Sequence, residues 1–124
     1  MTAESMKRFF KSVKHALRGA VYVAGTEKNF QLEITAATLV IVLMFLLPLT
    51  RSEQVALVLV IVGVLVLELV NTSIERVVDM LKPRVHPYAR IAKDVMAAAV
   101  LVASIGAVII GFIILSPYIL QVLK

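Results

Sequence analysis

Glu68, Asn71, Thr72, Glu75 and Asp79 recur at a spacing that chemistry could use. At 100° per residue they fall within about 60° of one direction, so a single helix carries three carboxylates and an amide as one stripe. The stretch continues without a breaker from the apolar run Val55 to Leu67, and its other face, Leu69, Val70, Ile74, Val77 and Val78, is apolar. An isolated carboxylate near a bilayer centre costs roughly 2.5–3.5 kcal/mol, so acids aligned on a helix that leaves lipid mark a functional site. Glu68 and Glu75 stand two turns, about 10 Å, apart and face the same space. Magnesium needs few protein carboxylates when nucleotide phosphates supply its other oxygens, so acids at a water boundary suit a metal–nucleotide complex. Glu68 lies deeper, where a hydroxyl presented by lipid could give up its proton to it. Lys93 and Arg8 are the basic residues placed to neutralise phosphate oxygens.

Those residues need a scaffold, and composition says which kind. Of 124 residues, 60% are hydrophobic, and the mean hydropathy is +0.96. That is an integral membrane protein with a single domain, 1–124, too small to bury its apolar side chains against itself, so lipid or sister subunits must cover them. With no cysteine, neither a disulfide framework nor a thiolate metal site is available. The net charge of +5 is concentrated before the first apolar run (Lys7, Arg8, Lys11, Lys14, Arg18, Lys28) and around the second connection (Arg76, Lys82, Arg84, Arg90, Lys93). The positive-inside rule makes both regions cytoplasmic, and anionic lipid accounts for the charge without nucleic acid.

The expected architecture is all-α: an N-terminal amphipathic surface helix followed by three transmembrane helices. Residues 5–25 set Phe9, Phe10, Val13, Leu17, Ala20 and Val21 against a basic face, which suits a helix lying in the interface rather than a signal peptide, whose continuous apolar region is missing. Gly25-Thr26 offers a stop and the next N-cap, with Glu27 in the first turn of the following helix. Residues 30–49 are long enough to span. Ser52 is a plausible N-cap for a second span over 54–81, whose apolar part of 13 residues covers only about 20 Å, leaving Glu68 and Asn71 inside the inner leaflet. Pro83 and Pro87 bracket a cytoplasmic connection. The third span, 89–115, has small residues (Ala97, Ala98, Ala99, Ala103, Ser104, Gly106, Ala107, Gly111) that allow close helix approach, and Ser116-Pro117 should end it outside.

No glycine-rich phosphate loop of either common type occurs, so any nucleotide must bind on helices. Glu68-x-x-Asn71-Thr72-x-Ile74-Glu75-x-x-x-Asp79, followed by Ala92-Lys93-Asp94-x-x-Ala97-Ala98-Ala99-Val100-Leu101, resembles the signature of the prokaryotic diacylglycerol kinase family. The resemblance covers nearly the whole chain. It implies a homotrimer of three-helix subunits in the bacterial inner membrane, with active sites between subunits at the cytoplasmic interface and the C-terminus outside. It also implies transfer of the γ-phosphoryl group of ATP, as its Mg2+ complex, onto a lipid alcohol. By position, Glu68 matches the family's catalytic base and Asn71 its polar partner; Glu27 and Glu75 match metal-coordinating glutamates. Arg8, Asp79, Lys93 and Asp94 match positions around nucleotide and phosphates. Glu33 matches an acid at the cytoplasmic end of the first span, with its role open. Phe9-Phe10-Lys11-Ser12, His15-Ala16-x-Arg18-Gly19, Glu27-x-Asn29-Phe30-Gln31 and His86-Pro87-x-Ala89 resemble the Gram-positive-type branch, which favours undecaprenol over diacylglycerol as acceptor.

A small proton- or cation-coupled transporter is the competing class, because intramembrane acids also mark ion pathways. Against it, the outer halves of the three apolar runs carry no acid or base that would complete a route across. A scaffold without activity does not explain why the acids align. His15 and His86 lack metal-ligand spacing and read as interfacial side chains. Arg76 reads as a solvated interface residue, and Asn71-Thr72-Ser73 as an accidental glycosylation sequon inside a helix.

Overall fold

The computed structural model describes residues 2–81 and 86–123. The described residues form four helices, α1 (Ala3–Thr26), α2 (Lys28–Leu46), α3 (Arg51–Met80) and α4 (Pro87–Val122). By length and composition α2, α3 and α4 are each able to cross a membrane, and α1 is not one of the spans. In α1, Thr2 caps the first turn by accepting from the Ser5 amide at 3.3 Å. Its apolar side chains Phe9, Phe10, Leu17 and Val21 stay exposed, as a helix resting on lipid requires.

Helix α1 runs through Thr26, which was expected to cap the next helix. The Thr26 hydroxyl instead donates back to the Tyr22 carbonyl at 3.0 Å, inside α1. One extended residue, Glu27, ends α1 and begins α2, with its amide donating to Val23 O at 2.8 Å. Gln31 Nε2 ties the joint from the other side, donating to Ala24 O at 2.9 Å. At the far end of α2 the chain turns through Leu47 to Thr50.

Helix α3 starts at Arg51, with Thr50 rather than Ser52 as N-cap. Thr50 and Glu53 form a capping box: the Glu53 amide donates to Thr50 Oγ1 and the Thr50 amide to Glu53 Oε2. Ser52 has valine three residues on and cannot close such a box, which is why Thr50 wins. Helix α3 ends at Met80 with Leu81 as its C-cap, in the expected place. The proline-bracketed connection of the sequence reading lies outside the described residues up to position 85. His86 then caps α4 by accepting from the Tyr88 amide through Nδ1, and Pro87 takes the first helical turn, where its missing N–H costs nothing.

Pro117 does not end α4, contrary to expectation; the helix continues to Val122. A proline removes one donor, that for the Ile113 carbonyl, and so near a helix end the break is survivable. The continuation places Tyr118 beside the α3 N-terminus, where its hydroxyl donates to Glu53 Oε2 at 2.8 Å. The apolar core lies at this same end, where Leu49, Leu57 and Leu115 are buried among Val40, Leu43, Met44, Leu47 and Ile114.

Helix α3 is the central helix and holds half of the buried residues, more than any other helix; α2 and α4 flank it. Between α2 and α4 an apolar groove of about 730 Å³ runs along α3, from Leu32 and Glu33 to Ile119 and Leu120. Ser104, Ala107 and Gly111, part of the small face expected to pack closely, line this groove. Ala103, Ser104, Gly106, Ala107 and Gly111 are half-buried, while the glycines among them leave open space where a Cβ would stand. The protomer exposes 9389 Å², against about 6,600 Å² for a compact water-soluble protein of its mass. The excess is surface that lipid or other subunits must cover.

Candidate active site

The stripe of α3 turns toward the protein over its middle part. Glu68, Asn71 and Thr72 are 2%, 7% and 3% exposed, the buried polar residues of the chain's described part. Four atoms of this region have no hydrogen-bond partner among the described residues: Glu68 Oε2, Asn71 Oδ1, Thr72 Oγ1 and, from α2, Glu33 Oε2. A buried polar atom left unmatched costs about 1–3 kcal/mol, so four together are a sizeable local expense that folding of the protomer alone does not recover. Ser73, next in sequence, is satisfied by its own helix, donating to Leu69 O at 2.9 Å.

Four glutamates gather here from three elements. Glu68 lies within electrostatic reach of Glu33, of Glu75 and of Glu27 at the α1–α2 joint. The antiparallel hairpin explains the first pairing: Glu33 stands seventeen residues before Thr50 and Glu68 eighteen after it, so both reach the same level. Counter-charge comes from α4 and from α3 itself. Lys93 Nζ sits 3.7 Å from Glu75 Oε1 and 3.6 Å from Asp79 Oδ1, bridging acids one turn apart. Arg76 Nη2 donates to Glu27 Oε1, and its guanidinium lies over the Tyr22 ring, 5.7 Å from the centroid.

The residues expected to act together are therefore largely assembled: Glu27, Glu68, Asn71, Glu75, Asp79 and Lys93 converge on one end of the helix group. Two are not drawn in. Arg8 is held on the exposed face of α1 by Glu4, at 2.8 Å and one turn away. Asp94 follows Lys93 on α4 and is exposed.

As a donor set, Glu27 and Glu75 offer hard carboxylate oxygens, which suit magnesium. Among the described residues no three acids or histidines come close enough to cage an ion. Two carboxylates with room for phosphate oxygens is what a magnesium–nucleotide complex requires, so the residues fit such a group. Both acids already face a cation, and those contacts must yield to a metal.

Comparison with known proteins decides the class of this site. Residues 14–115 match the family of prokaryotic diacylglycerol kinases. The chain belongs to that family. It is 44% identical to the undecaprenol kinase of Bacillus subtilis (strain 168), an alignment covering 90% of this chain and 91% of that protein. It is 38% identical to a diacylglycerol kinase of Synechocystis, over 90% of this chain and 65% of that protein, and 32% identical to the diacylglycerol kinase of Escherichia coli (strain K12), over 87% and 88%. A prokaryotic diacylglycerol kinase is a phosphotransferase of the lipid kinase type, so the buried acids belong to a lipid kinase rather than to a transporter.

Three participants escaped the sequence reading. Glu33 had no role, although counting from the hairpin turn in both directions pairs it with Glu68. Thr72 belonged to the stripe but not to the expected site. Arg76 read as an ordinary interface residue, although eight residues from Glu68 puts it about 80° away, on the flank of the same stripe.

Proposed function

We propose that this lipid kinase moves the γ-phosphoryl group of ATP onto the hydroxyl of a membrane lipid alcohol, with undecaprenol the favoured acceptor. The observation that carries the reading is Glu68: a buried carboxylate with an unmatched oxygen, on a helix that then passes Glu75, Lys93 and Asp79 toward the opposite environment. The preference for undecaprenol rests on the 44% identity to the Bacillus subtilis enzyme of that name.

In this reading Glu68 Oε2 accepts the proton of the lipid hydroxyl as that oxygen attacks the γ-phosphorus, the bond from phosphorus to the bridging oxygen breaks and ADP leaves, and Asn71, one turn on, orients the hydroxyl or the carboxylate. Glu27 and Glu75 hold the magnesium ion, which when bound draws charge from the phosphate oxygens. Lys93 turns from Glu75 and Asp79 to the phosphates, supplying the positive charge that the transfer needs. Arg8 and Asp94 join the nucleotide side by resemblance to the family, and Arg8 must leave Glu4 to do so. The basic residues around α1 and the second connection support an orientation with these ends of the helices in the cytoplasm of a bacterial inner membrane and the Thr50 turn and the C-terminus outside. The large exposed apolar surface supports association into a homotrimer, in which a neighbour completes each site.

The deciding experiment supplies purified protein in lipid with magnesium, labelled ATP, and undecaprenol, diacylglycerol or short lipid alcohols under matched conditions. Undecaprenol should be phosphorylated with the highest kcat/KM. Equal or better use of diacylglycerol would overturn the acceptor assignment, and failure with every lipid would overturn the mechanism.

A further inference from the structure

The mechanism above leaves one charge of the site without a task. Arg76 follows Glu75 on α3 and reaches 49 positions back along the chain to Glu27, donating from Nη2 to Oε1. Its guanidinium also lies over Tyr22 of α1. One side chain thus joins the last part of α1, the joint residue and α3.

Glu27 occupies the N-cap of α2, where a carboxylate ordinarily accepts from the first free amides. It makes no such hydrogen bond. Its side chain has left the helix end for the guanidinium, although the cap would have been local and the ion pair is not. Arginine suits this double duty, since its planar fork can donate to a carboxylate while its face rests on an aromatic ring. The partners differ in exposure, with 49% of the Arg76 side chain and 23% of the Glu27 side chain accessible. The cation can therefore withdraw to water while the acid stays.

We propose that Arg76 is a positioning residue that holds the Glu27 carboxylate in place of a divalent cation, and that metal binding at Glu27 displaces the guanidinium and frees α1 from α3. The inference rests on Glu27 being a metal ligand, as assigned above. A magnesium or manganese ion on a Glu27 oxygen would stand within a few ångströms of the guanidinium, and two cations on one carboxylate repel each other. Exchange keeps Glu27 neutralised before the metal arrives and makes arrival mobilise the surface helix.

The test uses the full chain in lipid nanodiscs with a non-hydrolysable ATP analogue at fixed concentration, titrated with Mn2+ and followed by its paramagnetic resonance. Glu27→Gln should weaken Mn2+ binding. Arg76→Gln should strengthen it by about two- to fivefold, the range set by the loss of a partly exposed competing ion pair. Arg76→Lys, which keeps the charge but not the fork, should fall between. A spin label at Ser12→Cys, specific because the chain has no cysteine, should report α1 becoming more mobile when Mn2+ is added. In Arg76→Gln the label should be mobile from the start and insensitive to the ion. Unchanged or weaker Mn2+ binding in Arg76→Gln, alongside a loss in Glu27→Gln, would overturn the exchange while leaving the metal assignment intact. Undiminished binding in Glu27→Gln would remove the metal assignment and the exchange together.

Discussion

At the Thr50 end of α3, Glu53 Oε2 accepts from the Thr50 amide, the Thr50 hydroxyl and the Tyr118 hydroxyl, each at 2.8 Å. Toward the other end of the same helix, Glu68 Oε2, Asn71 Oδ1 and Thr72 Oγ1 are buried and accept or donate nothing among the described residues. One helix thus carries an acid with an oxygen held by three donors of its own chain and another with a buried oxygen left open. The first sits beside the apolar core of Leu49, Leu57 and Leu115; the second sits among other acids. With the proposed mechanism, stability and chemistry fall at opposite ends of α3, where a substitution for one need not disturb the other.

That separation is open to attack by mutation. The largest effect is expected at Glu68. Glu68→Gln should lower phosphoryl transfer by about 10²–10⁴-fold, the usual worth of a positioned base, while the unfolding midpoint holds or rises. Labelled-ATP assays in lipid and thermal unfolding of the same sample check both halves, and a variant that fails to assemble would merge the two regions. Lys93→Met comes next, with kcat/KM for ATP about a hundredfold lower and the KM for lipid little changed. At the other end the readout should invert. Thr50→Ala should cost about 1 kcal/mol of stability through the lost cap, and Tyr118→Phe should lower the unfolding midpoint, each with kcat preserved at a temperature where the protein is folded. The smallest effect belongs to Ser73→Ala, within about 0.5 kcal/mol and without change in rate, since that hydroxyl only bonds back to its own helix. Its neighbour makes the contrast: Thr72→Val should reduce activity.

Much of this was legible in the sequence. The stripe on α3 shows because a period of 3.6 separates Glu68, Asn71, Thr72, Glu75 and Asp79 from an apolar face, and no tertiary detail is needed to see it. The three spans show because continuous apolar runs of that length have few other fates. What escaped depends on side chains crossing between elements. The Arg76–Glu27 pair joins residues that neither periodicity nor local spacing relates. The clasp from Tyr118 to Glu53 was hidden by reading Pro117 as a stop, although the cost of one unpaired carbonyl falls where α4 is about to end. The cap of α3 differs, being local in sequence. The residues Thr50-Arg51-Ser52-Glu53 spell a capping box, and glutamate at the third position after Thr50 marks the helix start where Ser52, followed by Val55, does not.

The capping box also acts as a depth gauge. It fixes the first residue of α3, and seventeen residues of rigid helix then carry Glu68 about 26 Å from that origin. Adding one residue between Gln54 and Leu67 would leave every acid in the sequence, yet slide the stripe by about 1.5 Å and swing it through about 100°. Glu68 would then address a different neighbour at a different level. The threonine and glutamate that begin the helix are thus part of how an acid nearly five turns away finds its place.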